Sequence, residues 1–134
     1  MSRTNLARYR MGRAEEIVKE AEDSFKQGHF SLAVNRSYYA MFTSAKALLA
    51  LKELDSSKHS GVISLFNRHL VKTGIFPERI GKFLPKAKDM REEADYRDFV
   101  KITQEDAKKQ IDNAEKFVEE AERTLLRIME NAER

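Results

Sequence analysis

Between residues 107 and 132, Ala107, Ile111, Ala114, Val118, Ala121, Leu125, Ile128 and Ala132 follow one another at alternating spacings of four and three. That period is the seam of an α-helix; a strand cannot present it, because its successive side chains point to opposite faces. The small residues in the stripe permit close approach of a neighbouring helix. The stripe either seats this helix inside a bundle or zips two copies into a coiled-coil homodimer. Thr103, with Asp106 three residues on, predicts a capping box at its start.

The rest of the chain reads the same way. Ala14, Val18, Ala21 and Phe25 mark a first helix over residues 5–27, and Gly28 follows where a left-handed residue would close it. A second helix, capped by Ser31, is expected to run to about residue 53. Its apolar surface is nearly continuous, through Val34, Tyr38, Met41, Ala45 and Leu48 and the adjoining Tyr39, Phe42, Leu49 and Leu51. A helix apolar all round is buried on several sides, so this one belongs at the centre or across a subunit interface. A short third helix is expected over residues 60–72. A fourth should begin at Pro77 and extend towards residue 91 or 96, with Pro85 bending it or delaying its start. The expectation is an all-α fold, an up-and-down antiparallel bundle of four to five helices with short connections, forming one domain over residues 1–134.

Composition excludes several classes. The chain has no Cys, so disulfide scaffolds, Cys-based metal sites and thiol nucleophiles are ruled out. The apolar run over residues 45–51 is far too short for a membrane span, and residues 1–13 carry four Arg without an apolar leader core, so the chain reads as a soluble cytoplasmic protein. The five glycines are isolated, which excludes a phosphate-cradling glycine loop. His29, His59 and His69 have no partners at metal-ligand spacing, so neither a metal nor a cofactor is expected. High charge with few glycines points to a heat-adapted source.

The net charge of +3 is unevenly spread: residues 58–91 carry eight cations and two acids, whereas residues 103–134 are net acidic. This makes the middle segment either a positive ligand-facing surface or a solvated mixed face. His59, beside Lys58 at an expected helix start, lies where backbone donors and a cation gather around an anion. Arg36 adjoins the paired Tyr38 and Tyr39 on an otherwise apolar helix and needs a partner. It either pairs with a carboxylate such as Asp95 or belongs to a polar pocket. Arg91 and Asp95, at i and i+4, can pair with each other or orient a shared ligand, with Tyr96 next to them.

Three blocks in this order, Arg-Ser-Tyr-Tyr-Ala-Met-Phe at 36–42, Lys-His-Ser-Gly-Val-Ile-Ser-Leu-Phe at 58–66 with Val-Lys-Thr-Gly at 71–74, and Arg91-x-x-Ala94-Asp95-Tyr96, resemble the HEPN domain family in its small stand-alone branch. The resemblance spans about residues 10–125 and implies a helical bundle. It also implies a dimer, a minimal nucleotidyltransferase as companion in a toxin–antitoxin-like module, and in many members a metal-independent ribonuclease. Those ribonucleases carry an Arg followed after four to six residues by a His. Here no Arg precedes any of the three histidines at that distance. The expected function is therefore a binding module for a nucleotide, RNA or protein partner, with Arg36, Tyr39, Lys58, His59, Arg91, Asp95 and Tyr96 as candidate ligand residues. The alternative is a ribonuclease in which His59 stands in for the missing histidine.

Overall fold

The structure is a computed structural model that describes residues 2–96 and 100–132. Every element in it is helical: α1 (Arg3–Lys26), α2 (Phe30–Leu51), α3 (His59–Phe66) continued by a π-helical turn (Asn67–Val71), α4 (Glu78–Gly81), α5 (Phe83–Tyr96) and α6 (Gln104–Ala132). α2 sits at the centre, packed against α1, α6, α5 and α3. Fourteen of its residues are buried, Tyr38, Met41 and Leu48 completely. The near-continuous apolar surface of the second helix is thus used within one chain.

α1 and α2 form an antiparallel hairpin about Gly28, whose positive φ of 80° a side chain would resist. Its register shows in the polar pairs that cross it: Arg3 with Glu53, Arg10 with the Lys46 carbonyl, and Arg36 with Glu20. Each pair lies symmetrically about Gly28. Alanines at 7, 14 and 21 of α1 and at 33, 40 and 47 of α2, all buried, keep the core side chains of the hairpin small. α6 lays its stripe on α1 and α2 and buries it from Ala107 to Leu125; Ile128 is half-buried and Ala132 exposed. The expected capping box is present, with Thr103 and Asp106 each donating a backbone N–H to the other's side chain at 3.1 Å. Phe117 of α6 meets Phe66 and Phe76 with ring centroids 5.6 and 5.0 Å away, which locks the π turn and the loop after it to the bundle.

Two boundaries differ from expectation. α2 starts at Phe30 with His29 in the cap position, so Ser31 lies in the first turn and does not cap. The fourth helix is broken in two. Pro77 caps the single turn α4 rather than opening a helix, and α5 begins only at Phe83. Pro85 explains the break: it has no N–H for the carbonyl of Gly81, four residues back, and its ring crowds that carbonyl, so α4 ends at Gly81.

Candidate functional site

The site forms where α2, the start of α3 and the end of α5 meet. The loop between α2 and α3 delivers His59. Asp55 accepts the Ser56 N–H, pairs with Lys46 at 3.6 Å and lies 3.9 Å from Arg10. Ser56 Oγ accepts the Lys58 N–H at 3.3 Å. Gly61 lets this loop close on α3, since a Cβ there would run into the Ser56 side chain. His59, the first residue of α3, then lies on Phe42, ring centroids 4.4 Å apart, and edge-on to Tyr39 at 5.7 Å.

Its Nδ1 is 3.0 Å from the hydroxyl of Tyr38, a residue with no solvent exposure. Burial pushes the Tyr38 phenol well above its ordinary range, so it stays protonated. Burial, then the charges of Arg91, Lys88 and Lys46, hold the His59 imidazole below its ordinary 6.5, so it is neutral at neutral pH. Among the described residues His59 is the phenol's only hydrogen-bond partner. A phenol that donates to Nδ1 leaves the imidazole proton on Nε2 as an outward donor, whereas one that accepts from Nδ1–H leaves the lone pair on Nε2. His59 also lines an open hollow of about 500 Å³ with Lys46, Asp55 and Lys58.

Arg91 reaches the same aromatics from α5. Its Cζ lies 5.7, 5.3 and 5.6 Å from the ring centroids of Tyr38, Tyr39 and Tyr96, within cation–π range. Its Nε donates to Asp95 at 3.1 Å and its Nη2 to the Tyr96 hydroxyl at 3.3 Å. The side chain is 14% exposed, and among the described residues Nη1 makes no protein hydrogen bond. Tyr96 itself is 71% exposed. The Arg36 Cζ also lies near Tyr39, 5.1 Å from its ring centroid.

Arg36 does not pair with Asp95. Its Nη1 donates to Glu20 of α1 at 3.3 Å, while Nε and Nη2 donate to Asn35, whose amide in turn donates to Asp95. The hairpin register decides this, because it sets α1 rather than α5 against that face of α2. Hydrogen bonds from Arg13 and then Arg36 keep the Glu20 carboxyl below its ordinary value. Of the seven candidate residues, Arg36, Tyr39, His59, Arg91, Asp95 and Tyr96 form one connected cluster. Lys58 is exposed, caps α3 through its backbone and joins only the hollow beside His59. Sequence reasoning missed Glu20, although it and Arg36 each stand eight residues from Gly28. It also left Tyr38 as core, although that hydroxyl lies 3.0 Å from the His59 Nδ1.

Among the described residues no group of His, Asp and Glu is arranged to hold a metal ion, and no helix is long and apolar enough to cross a membrane. A fixed guanidinium, an imidazole and neighbouring phenols together suit an oxyanion attached to a flat ring.

The chain matches the HEPN domain over residues 7–124. It is 38% identical over 120 residues to a "UPF0332 protein" of Thermotoga maritima, covering 90% of this chain and 91% of that protein. It is 34% identical to another "UPF0332 protein", of Archaeoglobus fulgidus, over 87% of this chain and 92% of that one. A protein of Methanocaldococcus jannaschii named "Putative toxin MJ0605" is 40% identical to it over 87% of this chain and 86% of that protein. A domain match across nearly the whole chain, joined to relatives aligned over most of both lengths, shows that the chain belongs to the HEPN domain family.

Proposed function

We propose that this chain is the RNA-binding member of a toxin–antitoxin-like pair, working in the cytoplasm as a homodimer with a minimal nucleotidyltransferase as its companion. The toxin-like part of this reading rests on the family and on the names of its relatives. The RNA-binding part rests on one observation: Arg91 and the His59 imidazole meet on the same two tyrosine rings, Tyr38 and Tyr39. In this reading Arg91 holds a phosphate, the His59 Nε2–H donates to it, and exposed Tyr96 stacks on a base. Binding is the reading in which the Tyr38 phenol donates to Nδ1, the one partner that its buried O–H has among the described residues, and so occupies the lone pair of the neutral imidazole. His59 therefore offers a proton donor and no base.

The same proximity sustains a second reading, metal-independent RNA cleavage. If the Tyr38 hydroxyl rotates to accept from Nδ1–H, the lone pair moves to Nε2 and His59 becomes a general base beside Arg91.

The test is fluorescence anisotropy with a labelled single-stranded RNA in EDTA, on the wild type, Arg91→Met and His59→Ala. Arg91→Met should weaken binding at least about tenfold, the loss of one charge-assisted contact, with the circular dichroism spectrum unchanged. Equal affinity in the wild type and Arg91→Met defeats the proposal. RNA shortened by the wild type and left intact by His59→Ala establishes the second reading instead.

A further inference from the structure

A separate groove of about 790 Å³ runs between α3 with its π turn on one side and α4 and α5 on the other. Its volume falls within the range of small-molecule sites, about 300–1,000 Å³. Ile63, Val71 and Leu84 give it apolar walls, and Lys72, Lys88 and Asp89 stand among its polar lining. Two backbone features shape it. The π turn, in which the Lys72 N–H bonds the Asn67 carbonyl at 2.9 Å, widens the end of the helix. Gly81 lets α4 close against the turn, because a Cβ there would come within 2.8 Å of Val71 Cγ2.

The groove adjoins the Arg91 cluster. Ser60, which lines it, directly follows His59, and Lys88, which also lines it, precedes Arg91 by about one turn of α5. This side of the bundle is built from residues 58–91, the segment with eight cations against two acids. Within the groove Lys82 is paired with Glu78 and Lys88 with Glu92, whereas Lys72 has no ion-pair partner among the described residues. An apolar ligand would have no use for the cations, and an inorganic anion none for the apolar walls. A base on a phosphodiester uses both, with Ser64, Asn67 and Asp89 available to its polar edge.

We propose that this groove is a second nucleotide subsite, holding the base next to the nucleotide bound at Arg91, so that the chain's ligand is a single strand of two or more nucleotides. This rests on the RNA-binding reading above. It assigns Lys72 to the backbone of the strand and the Ile63, Val71 and Leu84 walls to its base.

The experiment compares AMP and a five-nucleotide single-stranded RNA as ligands, by calorimetry and anisotropy, on the wild type, Ser64→Trp and Arg91→Met. Ser64 is exposed, and an indole there fills the groove without entering the core. Ser64→Trp should weaken the pentamer about tenfold, the loss of one stacked base, and leave AMP unchanged, while Arg91→Met weakens both. Unchanged pentamer affinity in folded Ser64→Trp, or equal weakening of AMP and pentamer, overturns the subsite and leaves the Arg91 reading standing. Unchanged affinities in Arg91→Met overturn that reading, and the subsite with it. Lys72→Glu carries the same comparison if Ser64→Trp does not fold.

Discussion

Where α6 crosses α1, Glu122 meets Glu15, and the pair makes stability depend on pH in a way opposite to an ordinary salt-bridged acid. Burial first, then hydrogen bonding to Glu15 and repulsion from Glu15 and Glu119, lift the Glu122 carboxyl from 4.5 to about 7, with Arg123 opposing. A folded-state value above the unfolded one means that the native protein binds the extra proton between about pH 4.5 and 7. The contribution is fully present below 4.5 and is lost as the pH rises through 7. At full strength that rise corresponds to about 3 kcal/mol. The side chain is only partly buried, and solvent screening reduces this to about 1–2 kcal/mol. Glu122→Gln keeps a hydrogen-bond donor towards Glu15 and removes the titration. Urea unfolding followed by circular dichroism should find the two proteins equally stable near pH 4.5, and Glu122→Gln more stable by about 1–2 kcal/mol near pH 8.5. The histidines and the acids away from Glu15, Glu119 and Glu122 are shared, so they cancel in the difference. A stability difference that does not change with pH, or one that favours the wild type at the alkaline end, refutes the reasoning.

Gly81→Ala should destabilise the protein by about 1–3 kcal/mol through collision with Val71, and the double variant with Val71→Ala should recover most of it in the same urea assay. The Arg91 charge lowers the His59 titration, so Arg91→Met should move its NMR midpoint upward, towards 6.5; an unmoved midpoint would separate the two residues.

The stripe on α6 and the capping box at Thr103 were legible because both are local: a helix period and a four-residue hydrogen-bond exchange need nothing from the rest of the chain. The left-handed Gly28 belongs to the same class. The break at Gly81 was half legible, since Pro85 announced a disturbance but its cost falls four residues upstream. The i, i+4 pair of Arg91 and Asp95 was read correctly, and the partner of Arg36 was not. Choosing between Asp95 and Glu20 requires knowing which helix covers that face of α2.

The local chemistry was therefore set by the sequence alone: the helical stripes, the capping box at Thr103, the exclusion of thiol chemistry, and the cationic segment over residues 58–91. Tertiary structure decided what these parts do together. It buried the α6 stripe inside the chain as far as Leu125, turned the Tyr38 hydroxyl onto His59, and brought His59 and Arg91 onto the same rings although 31 residues separate them. Helix periodicity states which side chains share a face, whereas contacts between faces depend on helix register and crossing, and these emerge only when the whole core packs at once.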